Sequence, residues 1–88
     1  MDEATAKFRA ELKAKLVEWL NIEGKGPDDI VDDEALFGAG LGLDSLDAVE
    51  IVIALKREYG ISQKEVDQHR EIFRTFASLS DFVQAHVK

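Results

Sequence analysis

Ser45 stands between Asp44 and Leu46, directly after the glycine-rich run Gly38-Ala39-Gly40-Leu41-Gly42-Leu43. A hydroxyl in that setting can cap a helix, act as a nucleophile or accept a covalent group. Capping is the ordinary use of Asp and Ser at a helix start, and on the local pattern alone it is the stronger reading. A helix N-terminus also offers free N–H groups and the positive end of the dipole, so an anion such as a phosphodiester on Ser45 is tolerated there. Nucleophilic attack needs an activating base. The chain holds only His69 and His86, neither with an evident orienting partner in sequence, and the context of Ser45 is not Gly-x-Ser-x-Gly.

Other chemistries fit the sequence less well. The Gly38 to Gly42 run follows no strand, has the wrong third-glycine spacing and lacks the lysine of a phosphate-binding loop. Asp28, Asp29, Asp32, Asp33 and Glu34 do not alternate as calcium ligands do. With no cysteine there is no disulfide and no thiolate metal site, and no metal is expected.

Net charge is −7, and its placement is uneven. Residues 1–27 hold five acids and five bases, and residues 60–88 hold four of each. Residues 28–59 hold nine acids against Lys56 and Arg57, which accounts for the whole excess. Nucleic acid is thereby disfavoured as a partner, because its binding rests on Lys and Arg. A connected acidic stretch favours partners with basic patches. The polar start, Met1 to Ala6, and the lack of a long apolar run predict neither a signal peptide nor a membrane span, hence a cytoplasmic chain.

The elements that must position Ser45 are helical. Hydrophobic residues at 45% and charged residues at 33% suit a globular chain of one domain, 1–88, with a modest core. Phe8, Leu12, Leu16 and Trp19, widened by Val17 and Leu20, predict a helix from Ala4 to Leu20. Residues 21–43 form a long connection with five of the six glycines. Ile22, Ile30, Val31, Leu36, Phe37, Leu41 and Leu43 are expected to anchor it to the core, around one short helical turn. A second helix is expected from Asp44, its cap, to Tyr59, with Gly60 as the terminating residue. A shorter helical piece follows between Lys64 and Ile72, and a last helix runs from Thr75 or Phe76 to His86. The fold class is all-α, a small irregular four-helix bundle with three longer helices and one short one.

The second helix carries two apolar faces. At about 100° per residue, Ala48, Ile51, Val52, Leu55 and Tyr59 share one side, while Leu46, Val49 and Ile53 share another, beside Glu50 and Arg57. The first set is expected in the core. The second is either a docking surface or is covered by the short third helix.

The run Phe37-Gly38-Ala39-Gly40-Leu41-Gly42-Leu43-Asp44-Ser45-Leu46-Asp47-Ala48-Val49-Glu50-Ile51 resembles the signature of acyl and peptidyl carrier proteins. Nearly the whole chain shares the likeness, including Glu58-Tyr59-Gly60-Ile61 and the final Phe76 to Val83 segment. The resemblance implies a carrier and not an enzyme, a monomer with 4′-phosphopantetheine covalently attached to Ser45. It makes Asp44 the residue read by the phosphopantetheinyl transferase. Leu46, Val49, Glu50 and Ile53 match the family's recognition face, and with Asp47, Lys56 and Arg57 on the same helix they are expected to form the partner face toward acyl-loading and acyl-using enzymes with basic docking patches. Ile51, Val52, Leu55 and Tyr59 become core and acyl pocket. Two departures, Gly40 where the family often has an acid and Lys56-Arg57 in a segment often acidic, point to a specialised carrier in fatty-acid, lipid or polyketide biosynthesis and not to the general fatty-acid one.

Overall fold

A computed structural model describes residues 2–22, 24, 26–37 and 42–87. Gly38, Ala39, Gly40 and Leu41, and with them the Gly40 departure and the Leu41 anchor, lie outside the described residues. Among the described residues there are four α-helices, three of them long, and no strand. They are α1 (Glu3–Leu20), α2 (Ser45–Tyr59), α3 (Gln63–Asp67) and α4 (Phe76–His86). Two short 3₁₀ turns accompany them, Pro27–Asp29 and Arg70–Phe73. Among the described residues no helix is long and apolar enough to cross a membrane.

Each helix starts and stops for a local reason. Asp2 accepts from the Thr5 amide at 2.7 Å and opens α1. Asn21, with φ of 50°, closes it. Gly60 ends α2 at φ 71°, a conformation suited to a residue without Cβ, and the Ile61 amide donates back to the Leu55 carbonyl at 3.3 Å. Ile61 is fully buried at that stop. Ser62 and Glu65 form a capping box that starts α3 one residue earlier than expected.

The expected continuous piece from Lys64 to Ile72 is instead broken into α3 and the second 3₁₀ turn. Val66 and Ile72 are both buried. Six residues apart, they would lie about 120° from each other around an unbroken α-helix. Breaking the helix turns both toward the core.

Among the described residues, the large buried apolar side chains form one cluster. Leu12 and Leu16 come from α1, Ile51 and Leu55 from α2, Val66 from α3, and Phe76, Leu79, Phe82 and Val83 from α4. Ile30, Leu36 and Leu43 anchor the long connection in it, with Ile22 and Phe37 packed alongside. Val31 is the exception. It is 62% exposed, so it does not anchor the loop as expected. Its neighbours explain this: Asp32 turns into an ion-pair cluster, and the loop carbonyls of Asp32 and Glu34 accept from the Ala77 and Phe76 amides at 2.7 and 3.1 Å. Those bonds fix the loop backbone against the start of α4 and leave Val31 facing outward.

The ion-pair cluster ties three elements together. The Arg9 guanidinium on α1 reaches Asp32 at 3.0 Å and Asp81 on α4 at 2.9 Å, and Lys13 reaches Asp32 at 2.7 Å. Lys13, and then Arg9, hold the Asp32 carboxyl below the usual carboxylate range against an opposing effect of burial. Because the folded-state pKa is lowered, this contribution to stability is complete above the unfolded value of about 3.9 and is lost as pH falls through the lower folded value. Asp32→Asn is therefore expected to lower unfolding free energy at neutral pH by about 1–3 kcal/mol. The gap to the parent chain should shrink as pH falls below about 4. Urea titrations at pH 7 and pH 3 measure it, and a gap that grows with acid would contradict the assignment.

Candidate functional site

Gly42, with φ of 73°, turns the chain toward α2 in a conformation that favours glycine. Leu43 follows, buried, its amide donating to the Leu36 carbonyl at 3.2 Å. This pins the chain beneath the start of α2. Asp44 then stands in extended conformation as N-cap, one carboxylate oxygen accepting from the Leu46 and Asp47 amides at 3.0 and 3.1 Å. Asp47 reciprocates by accepting from the Asp44 amide at 2.9 Å. Asp44 is thus the cap and Ser45 is not.

The local anion reading changes in consequence. Two of the amides that an anion at this helix end would use, those of Leu46 and Asp47, are already taken by the Asp44 carboxylate.

The four serines of the chain differ sharply in their surroundings. The Ser62 hydroxyl accepts from the Glu65 amide, and the Ser78 hydroxyl donates to the Ile72 carbonyl at 2.7 Å. Ser80 is fully buried. Ser45 is exposed, and among the described residues its hydroxyl makes no hydrogen bond. An exposed hydroxyl released from capping fits a covalently attached group.

Around Ser45 the surface is both acidic and apolar. Asp44 and Glu50 are exposed and Asp47 is half-buried. Leu46, Val49 and Ile53 are 73%, 55% and 56% exposed, so α3 leaves this stripe open. On the opposite side Ile51 and Leu55 are fully buried, and Val52 and Tyr59 are partly buried against the core. Ala54, which helical spacing did not single out, is buried as well. The Tyr59 ring lies 6.0 Å from Phe8 and 6.4 Å from Trp19, and burial pushes its phenol up while Lys15 opposes the shift.

The acidic stretch is not one outward field. Asp32 is spent on Arg9 and Lys13, and Asp29 accepts from the Gly26 amide at 2.8 Å to close the first 3₁₀ turn. Further along α2, Arg57 pairs with its neighbour Glu58 at 3.2 Å, which also meets Lys15 at 3.5 Å. Lys56 is exposed and makes no ion pair among the described residues. It lines a groove of about 360 Å³ with Val52, Ile53, Ser62 and Gln63. Sequence reasoning missed this groove. The Ser62-Gln63-Lys64-Glu65 capping pattern, which places Ser62 and Gln63 at the start of α3, was the readable signal for it.

The histidines stand apart from Ser45. The rings of His69, Phe82 and His86 form a mutual cluster, with centres 5.4 Å apart for His69–Phe82, 4.2 Å for Phe82–His86 and 5.9 Å for His69–His86, and His86 Nδ1 donates to the Phe82 carbonyl at 2.9 Å. Those partners hold the rings in an aromatic cluster, and among the described residues neither ring contacts Ser45. No group of three or more candidate metal ligands occurs among the described residues.

The family model described as the phosphopantetheine attachment site matches residues 10–85. No solved structure matches the chain.

Proposed function

The chain belongs to the phosphopantetheine attachment-site family, and from that premise we propose that Ser45 is the residue that receives the group. The domain is a site for covalently attached 4′-phosphopantetheine on a serine, and the chain is a phosphopantetheine-carrying carrier protein. The observation that carries the choice is the contrast among the four serines. Ser45 alone is exposed, while Ser62 and Ser78 are committed to helix ends and Ser80 is inside. When attached, the arm supplies a thiol for thioester formation, which a chain without cysteine cannot provide from its own side chains.

The chain's own residues then have limited tasks. Asp44 and Asp47 fix the first turn of α2, so the Ser45 backbone is held at a defined, exposed position. Asp44 also serves as the feature the phosphopantetheinyl transferase reads. Leu46, Val49 and Ile53 form the apolar centre of a partner face, and Asp47 and Glu50 its acidic rim. Apolar area flanked by charge suits a transient interface. Ile51, Val52, Leu55 and Tyr59 hold this face from behind as core and as the wall of any acyl shelter. Carrier domains of this family are in general not catalysts, and residues 1–88 are read as one such non-catalytic, monomeric, cytoplasmic unit. The direct test is the intact mass of the chain incubated with coenzyme A, with and without a phosphopantetheinyl transferase. A gain of one phosphopantetheine is expected, and no gain would refute the reading.

The pathway reading rests on Lys56 and Arg57. Both are exposed on the last turns of α2, where, with Arg57 paired to Glu58, Lys56 leaves a net positive charge against the acids Asp44, Asp47 and Glu50 nearer Ser45. A partner with a long basic patch meets like charge at that end, which slows encounter and rejects it without altering the fold. This supports a specialised carrier in fatty-acid, lipid or polyketide biosynthesis. Lys56→Glu combined with Arg57→Glu should raise turnover with general fatty-acid synthesis enzymes at low salt, and the gain should fade as salt rises. Equal turnover of both forms at low salt would discard the specialisation.

A further inference from the structure

The groove between α2 and the start of α3 is aligned with Ser45. Val52 and Lys56 follow Ser45 on α2 by seven and eleven residues, which places all three within about 40° of one another around the helix axis. At about 1.5 Å per residue, Val52 lies about 10 Å and Lys56 about 16 Å along α2 from Ser45. An extended phosphopantetheine arm on Ser45 is longer than that separation, so its acyl end can come level with Lys56.

The lining of the groove is mixed. Val52 and Ile53 supply its apolar wall, Ser62 and Gln63 its polar edge, and Lys56 its cation. The nearby Glu65 carboxylate is turned onto Ser62, accepting from its amide at 2.9 Å. Lys56 is left without an ion-pair partner among the described residues. A cation beside apolar wall, in line with the attachment point, is complementary to a chain with a carbon segment and a terminal negative charge.

We infer that Lys56 is a specificity-determining residue for the cargo: the groove receives acyl groups that bear a second carboxylate, with that carboxylate paired to the Lys56 ammonium. The inference rests on the reading that Ser45 carries the arm. Arg57 is not part of it, being held by Glu58.

The test loads the chain through the transferase with coenzyme A thioesters of a dicarboxylic acid, ¹³C-labelled at its free carboxyl, and of the neutral monocarboxylic acid of equal length. Intact mass first establishes loading; a chain that does not load refutes the Ser45 reading itself. On loaded protein, the labelled carboxyl is titrated by NMR in the parent chain and in Lys56→Gln. The parent chain should show a carboxyl pKa lower than in Lys56→Gln by about 0.2–0.7 units, the scale of one partly exposed ion pair. The difference should shrink at high salt. Amide shifts at Val52, Ile53 and Gln63 should be larger with the dicarboxylic cargo than with the neutral one. The same carboxyl pKa in both proteins, or equal amide shifts from neutral and acidic cargo, would overturn the inference while leaving Ser45 as the attachment site.

Discussion

Ser45→Ala is expected to accept no phosphopantetheine and to fold as stably as the parent chain. The loss should be complete, because the remaining serines are unsuited to replace it. Ser62 and Ser78 have hydroxyls engaged in the starts of α3 and α4, and Ser80 is fully buried. The fold should survive because the cap of α2 is Asp44, whose carboxylate takes the Leu46 and Asp47 amides whether or not residue 45 has a hydroxyl. An exposed change of this kind alters stability by no more than about 0.5 kcal/mol. Asp44→Ala is the informative contrast, since loss of the true cap costs about 0.5–2 kcal/mol. Intact mass after transferase treatment and a urea titration of each variant give both results. Phosphopantetheine on any other residue of Ser45→Ala would show that the wrong serine has been chosen.

Leu55→Ala is expected to remove about 2–5 kcal/mol of unfolding free energy, the usual range for truncating a buried leucine. Leu55 is 0% exposed and sits among Leu12 and Leu16 of α1 and the aromatic and aliphatic residues of α4 in the single core cluster. Removing its branched end leaves a cavity that neighbouring helices, fixed by their caps and by the Arg9 ion pairs, cannot fully close. Because small domains are stable by about 5–15 kcal/mol in total, the variant should be partly unfolded at modest urea concentrations. Val49→Ala, on the exposed stripe of the same helix, should change stability little and serves as the control. The measurement is the urea midpoint at constant m-value. A near-neutral Leu55→Ala with a costly Val49→Ala would mean that the two faces of α2 have been exchanged.

Much of this architecture is written in local chemistry that depends on neighbours within a few residues. Asp44 at the head of α2, Gly60 at its end, the stripe of α1 and the apolar face of α4 all follow from helical periodicity and capping, which act within one turn of chain. The separation of Leu46, Val49 and Ile53 from Ile51 and Leu55 is of the same kind. The family resemblance likewise came from a contiguous run around Ser45.

What tertiary structure alone decided concerns contacts between segments distant in sequence. Whether the second apolar stripe of α2 was covered depended on where α3 lay, and α3 is placed by the need to bury both Val66 and Ile72. The acidic stretch 28–34 looked uniform because charge adds along a sequence, yet Asp32 is removed from the outward field by Arg9 and Lys13, about twenty residues earlier in the chain. Val31 looked like an anchor by residue type, but the carbonyls of Asp32 and Glu34 are bonded to the start of α4 and turn it to solvent. The groove at Lys56 exists only because the chain reverses at Gly60 and brings Ser62 and Gln63 back beside α2. Periodicity states which side of a helix is apolar; which partner meets that side is set by the packing of all the helices at once.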